Sequence, residues 1–167
     1  ILAGDGLLSQ SFEVLTELET TPELLKRVIV FFSRCVGING MVRGQALDIE
    51  LDIHRETAVT MQEMQIVHRK KTGKLIELSM IGSAVLLNLA SEQLEIIEKL
   101  AKIIGMLFQA VDDLLDGDET TGKTQNIDVK NGKVTYLTLL GKEKTSDYVD
   151  TLYQQAQELL TTLHGLN

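Results

Sequence analysis

A chain of 167 residues with a formal net charge of −8 and a pI near 4.9 is long enough to bury one sizeable core, and its acidity excludes a nucleic-acid surface, which needs a basic face. Hydrophobic residues make up 44% of the chain, but charged residues, at 24%, interrupt every run; nothing approaches the roughly 18 apolar residues of a membrane span, so stable membrane insertion is not expected. No basic start leads into an apolar stretch and cleavage site, and the sole cysteine, Cys35, has no partner for an internal disulfide, which together point to the cytoplasm.

Ile1-Leu-Ala-Gly-Asp5-Gly-Leu-Leu opens in mid-pattern, without an initiator Met and with apolar residues already at helical spacing, and reads as the interior of a longer chain. Leu7, Leu8, Phe12, Leu15 and Leu18 follow the spacing of an amphipathic helix ending near Glu19. Thr21-Pro22-Glu23 is a helix start, with Thr21 as cap and Pro22 in the first helical position, and this helix runs to about Val36. Gly37 and Gly40 bracket a stop or kink before Met41-Val-Arg-Gly-Gln45-Ala-Leu-Asp48 opens another helix. Residues 60 to about 90 are helical in pattern, with Lys70-Lys71-Thr72-Gly73-Lys74 in their middle. A glycine there costs about 1 kcal/mol relative to Ala, which predicts a kink or a close approach at Gly73.

Ser91 is the expected cap of the next helix, defined by Leu94, Ile97, Leu100, Ile103, Ile104, Leu107 and Val111 and ending in Asp112, Asp113 and Asp116. Residues 117–132 have no apolar period and read as one long ordered loop of the kind kept for function. Helices resume at about 133–140 and 145–163. With no strand pair, repeat or linker, the expected fold is a single all-α domain over residues 1–167.

On a helix at about 100° per residue, Asp112 and Asp116 differ by about 40° and share a face, while Asp113 lies about 100° round. Two aligned carboxylates seat a hard cation: Mg²⁺ takes one or two carboxylates, retains waters and shares substrate phosphates. Lys123, Asp128, Lys130 and Lys133 follow, and the lysines are suited to phosphate charge that the metal leaves unneutralised. An Asp-rich run alone is equally a solvated acidic face. Against that, these aspartates sit at a helix C-terminus, where the macrodipole disfavours anions, and Phe108 and Gln109 lie one turn before Asp112.

Lys71 and Thr72 join an ammonium and a hydroxyl beside Gly73, a combination suited to a phosphate oxygen, although a surface charge is the usual fate of lysine. Gln45 and Asp48 equally fit a polar contact between helices. His54, His68 and His164 lack metal-ligand spacing, and His68 reads as a surface neighbour of Arg69. Cys35 reads as core rather than nucleophile. No Walker-type loop and no Ser-His-Asp arrangement is present.

In order along the chain, Leu2-Ala-Gly-Asp5-Gly-Leu-Leu, Met41-Val-Arg-Gly-Gln45-Ala-Leu-Asp48, His68 through Gly73, Gly105-Met-Leu-Phe-Gln109-Ala-Val-Asp112-Asp113-Leu-Leu-Asp116, Thr121-Gly-Lys123, Asp128 and Asn131-Gly-Lys133-Val-Thr-Tyr-Leu resemble the second half of an (E)-prenyl diphosphate synthase of the farnesyl and geranylgeranyl type. The Phe-Gln-x-x-Asp-Asp-x-x-Asp run is similar to that family's second aspartate-rich motif. The resemblance implies a helical bundle of the isoprenoid synthase type, incomplete on its N-terminal side, and a Mg²⁺-dependent condensation of an allylic diphosphate with isopentenyl diphosphate. It implies metal binding by Asp112, with Asp113, Asp116 and Asp128 near the ion directly or through water. Lys71, Lys123 and Lys133 would hold the diphosphate, Thr72 and Gln109 would line the reacting centre, Phe108 would lie against the alkene, and Gln45 would join the substrate contacts. A homodimer through the first two helices is also implied.

Two departures qualify the match. The family's first aspartate-rich motif, its adjacent arginines and its upstream isopentenyl diphosphate site precede the Leu-Ala-Gly-Asp segment, so the 167 residues by themselves are expected to be inactive. The link between Asp116 and Lys123 is also shorter than usual in the family. Two other readings are a non-catalytic subunit of a heteromeric synthase and a related terpenoid cyclase.

Overall fold

The structure is a computed structural model and describes residues 1–53, 59–116 and 134–166, among which every regular element is helical. In chain order these are α1 (Leu2–Thr16), α2 (Pro22–Val36), α3 (Met41–Ile53), α4 (Met61–His68), a single π-helical turn (Arg69–Gly73), α5 (Lys74–Leu86), α6 (Ser91–Asp116), α7 (Tyr136–Leu140) and α8 (Lys142–His164). Helix α2 starts where Thr21 and Pro22 place it, with the Thr21 hydroxyl accepting from the Leu24 amide at 3.3 Å. Thr60 and Glu63 form a reciprocal capping box at the head of α4. Such a cap contributes about 1 kcal/mol.

The spacing that predicts one helix from 60 to about 90 is divided in the structure, because the turn at Arg69–Gly73 is widened and Asn88 adopts φ 53° just beyond α5. Ser91 is the first helical residue of α6 rather than its cap; the Gln93 side chain accepts from the Ala90 amide instead. Helix α8 begins three residues before the expected Thr145, since Gly141 at φ 81° turns the chain and lets the helix start at Lys142.

Helix α6 is the spine, flanked by α5, α7 and α8. One core cluster joins Ile81 and Ala84 of α5 to Ile97 and Ala101 of α6, with Phe31 of α2 and Leu163 of α8 against it. A second joins Met64 of α4, Ala110 of α6 and Tyr136 of α7, with Tyr148 and Val149 of α8 beside them. Helix α1 contributes no buried residue and touches α2 through an edge-to-face pair, Phe12 and Phe32, with centroids 4.7 Å apart. Among the described residues no helix is long and apolar enough to cross a membrane.

Tyr136 is fully enclosed. Burial, with Tyr148 and Asp113 close by, pushes its phenol well above the ordinary value near 10. A folded-state pKa raised above the unfolded one stabilises the fold below about pH 10 and loses that contribution as the pH climbs past it. Thermal melts between pH 8 and 11 are expected to show stability falling above about pH 10, with a shallower fall in Tyr136→Phe. Equal slopes for the two proteins would place the alkaline loss elsewhere.

Candidate functional site

Two glycines make room for the turn that carries Lys71 and Thr72. A Cβ built on Gly44 of α3 would stand 2.2 Å from the Lys71 nitrogen and 2.5 Å from its Cα, so α3 reaches the backbone of this turn only because position 44 has no side chain. On the other side, a Cβ on Gly105 of α6 would meet the Cα of Gly73 at 3.1 Å. The predicted close approach at Gly73 is realised as a widened turn lying between α3 and α6. Such turns reorient the side chains they carry.

The side chains of the turn are tied outward in different directions. The Lys71 ammonium donates to the Asp48 carboxylate of α3. Both side chains are partly buried, so screening is weaker than on an open surface. The Thr72 hydroxyl donates to Oε1 of Gln109 on α6 at 2.8 Å, and the Lys70 ammonium donates to the Asn39 carbonyl at 3.2 Å. The Thr72 bond couples the ammonium-bearing turn to the helix that carries the aspartates. By helical geometry Gln109, Asp116, Asp112 and Phe108 fall within a sector of about 100° on α6.

Asp112 is exposed at the rim of an open groove lined by Ile104, Leu107, Phe108, Val111 and Leu115, and Asp116 is partly buried one turn further on. Phe108, which lines the groove beside Asp112, is 55% exposed. No cluster of three or more His, Cys, Asp or Glu side chains is gathered among the described residues. What they present is two carboxylates on one helical face, the donor set that Mg²⁺ accepts when waters and phosphate oxygens complete its octahedron. The residues fit the ion.

Asp113 is placed differently. It is buried, and its Oδ2 accepts from the Tyr136 amide at 2.7 Å. Gln45 lies exposed on α3, one turn before Asp48, and it is Asp48 that meets Lys71. Lys123, Asp128, Lys133, His54 and the expected loop at 117–132 lie outside the described residues. His68 is not the surface neighbour that its sequence context predicts: it is half-buried, with its ring centroid 5.5 Å from that of Tyr136. Cys35 is buried in α2, and burial pushes its thiol up, away from the thiolate a nucleophile needs. The polar contact that the sequence admits for Asp48 is made with Lys71, but the identity of that partner and the role of Gly44 escape a one-dimensional reading, because each depends on a residue more than twenty positions away. Their only signal is their place in the Gly44-Gln45-Ala-Leu-Asp48 string.

A polyprenyl synthetase family model matches residues 1–163. Geranylgeranyl pyrophosphate synthase 4 of Arabidopsis thaliana is 35% identical over 163 residues, a match covering 96% of this chain and 44% of that protein. Farnesyl diphosphate synthase of Micrococcus luteus is 34% identical over 170 residues, covering all of this chain and 57% of that one. The crystal structure of a geranyltransferase from Helicobacter pylori, complexed with magnesium and isoprenyl diphosphate, superposes with a TM-score of 0.83 at 31% identity, covering 97% of this chain and 53% of that chain. The chain thus spans about half the length of the curated relatives it matches.

Proposed function

Because this chain belongs to the polyprenyl synthetase family, we propose that it forms one wall of the site of a Mg²⁺-dependent prenyltransferase, which condenses an allylic diphosphate with isopentenyl diphosphate. The observation that carries this reading is the Thr72–Gln109 hydrogen bond, because it holds the Lys71 turn against the helix that bears Asp112 and Asp116. Asp112, supported by Asp116, would hold the ion, which when bound neutralises diphosphate charge as the allylic C–O bond breaks. The Lys71 ammonium, exchanging Asp48 for a diphosphate oxygen, adds positive charge where the leaving group accumulates negative charge. Thr72 and Gln109 orient one another and line the reacting centre.

The groove side chains offer the allylic cation an apolar surface, and the exposed Phe108 ring offers it a π system. The isopentenyl alkene then forms the new carbon–carbon bond, and the resulting cation passes a proton to an oxygen of the released diphosphate. The chemistry requires no protein nucleophile, and the buried Cys35 supplies none. Lys123 and Lys133 complete the diphosphate grip and Asp128 the metal seat in this proposal, with Gln45 a more distant substrate contact. We place the protein in the cytoplasm on the strength of its single unpaired cysteine. It would pair with a second copy through α1 and α2, where Leu2, Leu7 and Val14 are exposed.

Calorimetric titration with dimethylallyl diphosphate tests the reading. Binding in the presence of Mg²⁺ that disappears on chelation with EDTA is the expected result; heats that EDTA leaves unchanged would rule out a metal-diphosphate site.

A further inference from the structure

We infer that Asp113 is a positioning residue rather than a metal ligand: its enclosed carboxylate holds the amide of Tyr136 and thereby braces the turn that carries Lys71. The inference rests on the function proposed above and divides the labour within the aspartate run. Asp113 is 6% exposed, whereas its neighbour Asp112 stands at the rim of the groove, and the two point about 100° apart around α6. An ion that retains several waters needs space that so enclosed a carboxylate does not have.

The contact Asp113 makes is with a member of the second core cluster, Tyr136. At the head of α7, Thr135 and Thr138 satisfy one another: the Thr138 side chain accepts the Thr135 amide at 2.8 Å, and the Thr135 side chain accepts the Thr138 amide at 3.2 Å. The Tyr136 amide lies between them and is taken by Asp113 at 2.7 Å. The Tyr136 ring then stands 5.5 Å from the His68 ring and 5.4 Å from that of Tyr148. His68 is the last residue of α4, and the next residue opens the turn Arg69–Gly73. Position is therefore passed from Asp113 to Tyr136, from Tyr136 to His68, and from His68 to Lys71 and Thr72. An aspartate in the metal-binding run secures the ammonium side of the site without touching the ion.

The test compares Asp113→Asn, which keeps a carbonyl oxygen for the Tyr136 amide, with Asp113→Leu, which keeps the branched shape with bulkier methyl groups but cannot accept, and with Asp112→Asn. Two quantities are read on the 167-residue chain: hydrogen exchange at the Tyr136 amide without ligand, and the Mg²⁺ concentration giving half-maximal binding of dimethylallyl diphosphate. Asp113→Asn is expected to retain Tyr136 protection and a half-saturating Mg²⁺ concentration within twofold of the parent. Asp113→Leu should exchange Tyr136 at least tenfold faster and weaken diphosphate binding at saturating Mg²⁺, with the metal requirement unmoved. Asp112→Asn should raise that requirement at least tenfold with Tyr136 still protected.

Asp113→Asn behaving like Asp112→Asn would overturn the inference, as would unchanged Tyr136 exchange in Asp113→Leu. If Asp113→Leu does not fold, Asp113→Asn still decides between tether and ligand. Should Asp112→Asn leave the metal requirement untouched while Tyr136 exchange follows Asp113, the proposed function fails and the tether stands.

Discussion

Asp112→Ala is expected to lower Mg²⁺-dependent affinity for dimethylallyl diphosphate by more than tenfold, while Asp150→Ala, an exposed acidic change on α8, stays within twofold of the parent. Removal of groups that merely orient a metal ligand costs about 10–100-fold in metal affinity, so a residue that contacts the ion belongs at or beyond that range. Asp112 is exposed at the rim of the groove, so the substitution leaves no cavity in the core and little of the loss can be ascribed to unfolding. Net charge changes identically in both variants. Equal losses by titration calorimetry would mean that overall charge, and not a site, was being measured.

Gly44→Ala should be the most damaging single methyl group that can be added at this site. The three nearest atoms to the new Cβ would lie 2.2–2.6 Å away and all belong to the backbone of Lys70 and Lys71, so no side chain can swing aside. Overpacking of this kind costs up to about 3 kcal/mol, offset by about 1 kcal/mol from the better helix propensity of alanine. A net loss of about 2 kcal/mol corresponds to a fall in Tm of roughly 4–8 °C for a chain this size. Diphosphate affinity should fall with it, because α3 and the Lys71 turn must move apart. Gly105→Ala is the control: its Cβ meets Gly73 at 3.1 Å, a contact that a few tenths of an ångström relieves, so the propensity gain nearly balances the crowding. If differential scanning calorimetry gives the two variants the same Tm, the asymmetry of the clamp is refuted.

Helix positions were legible because apolar spacing and caps are local. Thr21 and Pro22 mark the start of α2, and the unbroken run from Leu94 to Val111 marks α6. The identity of the candidate site was legible because Phe108, Gln109 and the aspartates lie within nine residues. What each aspartate meets in the fold was not. Helical phase separates Asp113 from Asp112, but only the fold shows that the face at Asp113 is occupied by Tyr136. Likewise Lys71 and Thr72 were visible as a suitable pair, yet their partners Asp48 and Gln109 lie 23 and 37 residues away in sequence. His68 departs from the surface position its sequence context predicts because its neighbours in sequence are charged, whereas its neighbour in space is an aromatic ring.

The widened turn at Arg69–Gly73 also settles an arithmetic problem in the rod that contains it. Met64 before the turn belongs against Tyr136 and Ala110, whereas Ile81 and Ala84 after it belong against Ile97 and Ala101 of α6. A straight α-helix keeps a single phase from end to end. One extra residue in the turn advances that phase by about 100°, so the two halves of the rod can address two differently oriented walls without a loop between them. Deleting one residue at this point would restore ordinary hydrogen bonding and set every side chain beyond it on the wrong bearing.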